Sequence, residues 1–240
     1  MAKILIPGEK EITVTGIVFD LSGTLLKDGD AIYDRAIISV LGRYGVTPST
    51  KSVSADYYRF LEGKETSGDE LLYPYVVDTY LNGKITPARF GDEFSQEIRS
   101  ALRNDAVYQP YAADFLCRCR EAGLPIALVT SMLDEQLQQL CANENLNKAF
   151  PLQNFTHIFT NDKGIGYVNA LKVLDPLRQH NIMVFEDNPK GVKAVRTACA
   201  RSNYGKLSIC GVNAAAEDMQ QVRELADFIV DTHKDIIINK

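Results

Sequence analysis

The spacing of hydrophobic positions changes character along the chain. From residue 107 onward, short continuous apolar runs alternate with segments whose apolar residues recur every three to four positions. The runs "PIALVTS", "HIFT", "IMVFED", "LSICGV" and "DFIVD" read as buried strands, as does "GIVFD" near the start. Between them "YAADFLCRCREAG", closed by Gly123, reads as a helix, as do "MLDEQLQQLCANE", "GYVNALKVLDPLRQH", "PKGVKAVRTACA" and "AAEDMQQVRELA". Strands that are apolar without alternation are covered on both faces. Their alternation with crossover helices predicts a doubly wound parallel sheet of the α/β class. Residues 30–105 carry only the helical period, in "AIYDRAIISVLGRYG", "VSADYYRFLEG", "DELLYPYVVDTYLNG" and "PARFGDEFSQEIRSALRND". Gly42, Gly63, Gly83 and Gly91 punctuate or interrupt these segments, and Thr86-Pro87 supplies an N-cap and a first helical residue. The expected organisation is an α/β core of residues 1–29 and 106–240, with an all-helical cap of residues 30–105 inserted after the first strand of the sheet.

Composition narrows the partners. The chain has 240 residues, 45% of them hydrophobic, enough to sustain a core without disulfides or metals as staples. A net charge of −5 argues against nucleic-acid and anionic-membrane binding, which need a basic face. It leaves room for a small anionic substrate, which requires only local positive charge. The odd set Cys117, Cys119, Cys141, Cys199 and Cys210 is scattered, and the Cys117/Cys119 spacing suits neither zinc nor a redox pair. These read as small hydrophobes in a reducing compartment. No run has the length of a signal peptide's apolar core or a membrane span. A cytoplasmic monomer or homodimer is expected. His157, His180 and His233 are dispersed and receive no role.

The candidate chemistry lies at the strand ends. In open parallel sheets, ligands bind beyond the carboxyl ends of the strands. "IVFD" ends at Asp20, "ALVTS" at Ser131 and "VFED" at Glu186-Asp187, while Lys163 opens the segment after "HIFT". Each has a structural reading when taken alone: Asp20 as a cap, Ser131 as an N-cap, Asp187-Asn188-Pro189 as a turn. The topology, however, brings them to one edge of one sheet. Asp20, Glu186 and Asp187 are hard oxygen donors suited to Mg²⁺, and a cation would relieve their repulsion. Lys163 adds a point charge, and Ser131 with the following amide adds donors for a phosphoryl oxygen. Such a set performs phosphoryl transfer by positioning and charge neutralisation, with a carboxylate as nucleophile.

"VFDLSGTLL", "LVTS", "NDKG" and "VFEDNPKGVKA", in that order, resemble the motifs of the haloacid dehalogenase (HAD) superfamily over nearly the whole chain. The place of the helical block resembles the helical-cap (C1) subgroup and its β-phosphoglucomutase/phosphonatase-like branch. The resemblance implies a Rossmann-like HAD core with a cap and a Mg²⁺-dependent hydrolase, most simply a phosphatase for a small phosphorylated metabolite. It further implies that Asp20 is nucleophile and metal ligand, and that the carbonyl of Ser22 and the side chain of Asp187 complete the protein's ligands. Glu186 would assist directly or through water. Ser131 and Lys163 would hold the phosphoryl group, with Ser22 beside it. Lys172 is the rival lysine, but it falls inside a helical run.

Ser22 departs from the family pattern, which places a second aspartate there as general acid and base. A hydroxyl cannot protonate a leaving alkoxide as a carboxylic acid does, and such catalysis contributes ~10²–10⁴-fold. Leaving groups that need no proton are therefore favoured: acyl phosphates, phosphoramidates, phosphoanhydrides, or phosphonates that release a stabilised carbanion. Haloacid dehalogenases also lack this aspartate but do not use Mg²⁺, so the acidic pair 186–187 speaks against dehalogenation. Phosphonatases have a small residue there and a cap lysine that forms a Schiff base. Lys64, in "RFLEGKETSGDELL", is the candidate for that role, for a substrate contact, or for a solvated loop position. A non-catalytic phosphate-binding homologue is the reading from another class.

Overall fold

The computed structural model of the chain describes residues 1–27, 29–50, 52–61, 69–215 and 218–239, so Lys64 lies outside the described residues. The chain divides into two compact units, Met1–Lys27 with Val107–Lys240 and Asp28–Ala106.

The first unit opens with β1 (Ala2–Leu5) and β2 (Ile12–Val14), which the apolar pattern did not single out. They pair antiparallel and take β9 (Ile237–Asn239) on the other side of β1. Three- and four-residue strands of alternating burial offer too short a pattern to read from sequence. The main sheet is parallel and contains β3 (Gly16–Asp20), β4 (Ile126–Val129), β5 (His157–Phe159), β6 (Ile182–Glu186), β7 (Leu207–Val212) and β8 (Phe228–Val230). Its order is β5-β4-β3-β6-β7-β8. β3, β4 and β6 are buried at every position, as continuous apolar runs require.

The second unit holds α1 (Gly29–Arg43), α2 (Val53–Leu61), α3 (Asp69–Tyr80) and α4 (Pro87–Asn104). Thr86 caps α4, accepting from the Arg89 amide at 3.2 Å, with Pro87 as its first residue. Tyr73 packs on Phe90 and Phe94, and Tyr57 on Tyr75 and Phe60, so these tyrosines serve the unit's own core.

Returning to the first unit, the crossover helices are α5 (Ala112–Glu121), α6 (Asp134–Cys141), α7 (Glu144–Ala149), α8 (Lys163–Leu174), α9 (Pro189–Ser202) and α10 (Met219–Leu225). Two differ from the pattern. "MLDEQLQQLCANE" breaks because Asn143 turns its side chain to cap α7, accepting from the amides of Asn145 and Leu146. α8 begins earlier than its apolar period suggests and ends at Leu174, because Asp175-Pro176 cannot continue it. Asp175 instead binds the Tyr204 hydroxyl and the His180 amide. No helix among the described residues is long and apolar enough to cross a membrane.

Candidate active site

β3 and β6 are neighbours with Phe19 paired to Phe185, so Asp20 and Glu186 finish side by side at one end of the sheet. Strand alternation sends Val18 and Asp20, with Val184 and Glu186, to one face, and Phe19 and Phe185 to the other. α8 covers the first face, where Tyr167, Ala170 and Leu171 join the Val18, Val129 and Val184 cluster. Asp162 fixes its start by accepting from the Ile165 amide at 3.0 Å, which makes Lys163 the first helical residue. Asn188 does the same for α9 through the Gly191 amide at 2.8 Å. Both helices thus open at the carboxyl end of the sheet, where their partial positive charge favours anions.

Asp20, Glu186 and Asp187 each offer an oxygen within 4.8 Å of the others. The Lys163 ammonium lies 2.7 Å from Asp20 Oδ1 and 3.0 Å from Glu186 Oε1, on a side chain 21% exposed. Its approach to Asp20 is an ion pair without hydrogen-bond alignment, which leaves Oδ1 a buried oxygen with no hydrogen-bond donor among the described residues. The buried Thr24 hydroxyl stands 2.9 Å from Asp187 Oδ1 and 3.4 Å from Asp20 Oδ2; its single proton serves the nearer acceptor. Tyr167 donates to Glu186 Oε1 at 2.5 Å. Asn188 Nδ2 reaches Glu186 Oε2 and Asp187 Oδ1 at 3.4 Å each.

Burial, and after it the charge of Asp20, raises the Glu186 and Asp187 carboxyls above the usual range, with Lys163 opposing. For Lys163, burial disfavours the charged form, but attraction by Asp20 and Glu186 outweighs it and holds the ammonium protonated.

The donor set fits a divalent cation. Three carboxylates against one ammonium leave two uncompensated negative charges, which one Mg²⁺ neutralises. The loop after β3 supplies a second sign. Leu21 O accepts from the Leu25 and Leu26 amides, Leu25 O from the Gln109 amide, and Leu26 O from the Gly23 amide. Gly23 O accepts from Gln109 Nε2 at 2.8 Å, and Thr24 O from Asn213 Nδ2 at 3.0 Å. Of the carbonyls from Leu21 to Leu26, Ser22 O receives no hydrogen bond among the described residues.

Two glycines let backbone abut the carboxylates. Gly23 has φ +82° and a Cβ there would lie 2.0 Å from Asp187 Oδ2. A Cβ on Gly191 would lie 2.1 Å from Glu186 Oε1 and Oε2. No other residue type fits either place without moving a carboxylate.

The structure therefore gathers Asp20, Lys163, Glu186 and Asp187, with half-buried Ser22 in the adjoining loop. Ser131 follows the end of β4 but its side chain is exposed, and it makes no hydrogen bond to the carboxylates among the described residues. Nor does it cap α6: Leu133 holds that position, its amide bound by Gln136. Lys172 is exposed in the last turn of α8, so it is no rival to Lys163. Sequence reasoning overlooked Tyr167, although its spacing four residues after Lys163 on a helix was a usable signal. Gln109 and Asn213 carry no local signal, because only the fold brings them to the loop.

Residues 14–198 match the family model of the haloacid dehalogenase-like hydrolases. No curated protein matches the chain. Among solved structures it is similar to a Thermotoga maritima protein assigned as a β-phosphoglucomutase, at 21% identity over 92% of this chain and 95% of that one, TM-score 0.68. It is also similar to CbbY of Rhodobacter sphaeroides, solved with phosphate, at 18% identity over 92% and 95%, TM-score 0.65. A third is a HAD hydrolase of family IA, variant 3, from Entamoeba histolytica, at 19% identity over 92% and 95%, TM-score 0.66. At these identities the likeness is one of fold. The family match over most of the chain carries the assignment, and the chain belongs to the haloacid dehalogenase-like hydrolase family.

Proposed function

We propose that the protein is a Mg²⁺-dependent phosphohydrolase that acts on a small phosphorylated metabolite through an aspartyl-phosphate at Asp20. The observation that carries this reading is Asp20 itself: a buried strand-end carboxylate with one oxygen lacking a hydrogen-bond donor among the described residues, an ammonium 2.7 Å away and two more carboxylates beside it. Asp20, the Ser22 carbonyl and Asp187 would hold the metal, with Glu186 behind them. Bound there, Mg²⁺ would offset the charge of the carboxylates and of the phosphoryl oxygens.

The chain's own groups divide the remaining work. An Asp20 oxygen attacks phosphorus, and the bond to the leaving group breaks with its electron pair going to that group. Lys163 and the openings of α8 and α9 hold the phosphoryl oxygens. Water then attacks the phosphoenzyme, releasing phosphate and restoring the Asp20 carboxylate. Ser131 would meet the phosphoryl group from the end of β4.

Ser22 sets the substrate class. With a hydroxyl where the acid would stand, the reading favours acyl phosphates, phosphoramidates and phosphoanhydrides over alkyl phosphate esters. The test is a panel of these classes, with phosphonates included, assayed with Mg²⁺ and with chelator. Asp20→Asn is expected to abolish turnover, and Ser22→Asp to extend it to alkyl esters. Activity that survives chelation or Asp20→Asn overturns the mechanism. Phosphate binding by the wild type, with turnover appearing only in Ser22→Asp, would identify a non-catalytic homologue.

A further inference from the structure

We propose that Tyr167 is a positioning residue for the phosphate-binding lysine: its hydroxyl and the Lys163 ammonium, one turn apart on α8, share a single oxygen of Glu186, and that shared seat fixes the ammonium beside Asp20. The inference rests on the reading of Lys163 given above. Tyr167 OH and Lys163 Nζ reach the same Glu186 Oε1, at 2.5 Å and 3.0 Å. Residues four apart stack on one helix face, so a rigid element delivers both donors to one acceptor.

The two donors differ in stiffness. A lysine is a point charge on a flexible stem, with freely rotating donors, and does not by itself define where its ammonium stands. Tyr167 is fully buried, its ring wedged into the cluster that includes Val18, Val129 and Val184. Packing therefore fixes the phenol, and the phenol fixes Oε1. The other sides of the carboxylate are closed as well. The backbone at Gly191 leaves no room for even a Cβ, and Asn188 Nδ2 lies 3.4 Å from Oε2. Glu186 is thus a fixed anchor in β6, and Lys163 spans the gap from it to Asp20. One ammonium proton is donated to Glu186 Oε1, and the ammonium keeps donor capacity for an incoming phosphoryl oxygen beside Asp20.

A phenol that merely needed an acceptor for its buried hydroxyl would affect stability alone. The positioning role predicts more. Tyr167→Phe keeps the ring and removes the hydroxyl. Inorganic phosphate, titrated calorimetrically in the presence of Mg²⁺, is expected to bind about tenfold more weakly, the size of one lost charge-assisted hydrogen bond. Mg²⁺ titrated alone should bind as to the wild type. In a Lys163→Met background, Tyr167→Phe should cause no further loss of phosphate affinity. Undiminished phosphate binding in Tyr167→Phe, an equal loss in the Lys163→Met background, or a matching loss of Mg²⁺ affinity overturns the proposal. Wild-type phosphate affinity in Lys163→Met would instead remove the underlying assignment of Lys163, an outcome distinct from these. A measurement on the wild type needs no variant to fold: nitrogen-15 NMR should show one lysine ammonium with slow proton exchange, sharpened by phosphate. Uniformly fast exchange at every lysine overturns the proposal.

Discussion

The two faces of β3 and β6 treat buried polarity in opposite ways. One face ends in Asp20 and Glu186, and their charges meet Lys163, Tyr167 and Asn188. The other face, one residue out of step, stacks Phe19 on Phe185 at 4.9 Å with Phe115 edge-on to both. Into that aromatic cluster comes His233, completely buried, with neither ring nitrogen hydrogen-bonded among the described residues. The first face concentrates charge, pairs part of it through Lys163 and keeps an excess of negative charge at the strand ends. The second accepts one polar ring only in its neutral form. Burial, with Arg118 nearby, pushes the His233 pKa down to about 3 from 6.5. Charge is confined to the strand ends, where chemistry needs it, and the opposite face is built for packing.

Substitutions on each face should separate these roles. The largest effect is expected from Lys163→Met, which removes the only ammonium paired with Asp20 among the described residues. Steady-state kcat/KM should fall about 10²–10³-fold with little change in the Mg²⁺ requirement, the usual scale for losing one preorganised group that stabilises developing charge. Next comes Gly191→Ala, whose methyl would collide with the Glu186 carboxylate. Urea unfolding should show a loss of about 1–3 kcal/mol, and turnover should drop with it.

The aromatic face should respond to pH instead. Because the folded state disfavours protonated His233, the unfolded chain binds the extra proton between pH 6.5 and about 3. Stability associated with this group is complete above pH 6.5 and is lost as pH falls through that window. His233→Leu should abolish this slope, making the variant less acid-sensitive than the wild type by about 2 kcal/mol between pH 7 and pH 5. Equal pH dependence of unfolding in the two proteins would refute the role given to the unpartnered ring. The smallest effect is expected at Asn213→Ala, which frees the Thr24 carbonyl at the rim of the charged face. A stability loss of about 1 kcal/mol, with a weaker apparent Mg²⁺ affinity as the loop loosens, is the expected result.

What the sequence disclosed follows the same division. β3, β4 and β6 were legible because burial on both faces writes an unbroken apolar run, and the polar residue ending each run marked Asp20, Ser131 and Glu186-Asp187. Lys163 was legible because it opens the segment after β5. β1, β2 and β9 were not, since they are short strands and β1 and β9 pair across more than 200 positions of sequence. Gln109 and Asn213 were hidden for a related reason: each binds a loop carbonyl across a long stretch of sequence, and a lone amide side chain carries no periodic signal. His233 was seen but given no role, because an isolated histidine reveals its burial only after its neighbours are known.

The proposed mechanism requires that Asp20 become covalently phosphorylated. The direct measurement is rapid acid quenching of the protein with Mg²⁺ and acetyl phosphate, followed by peptide mass spectrometry. One phosphoryl group on the peptide containing Asp20, absent from Asp20→Asn and formed as fast as turnover requires, is the predicted result. Phosphate release without a phosphoryl group at Asp20, or with one carried by another residue, would contradict the account.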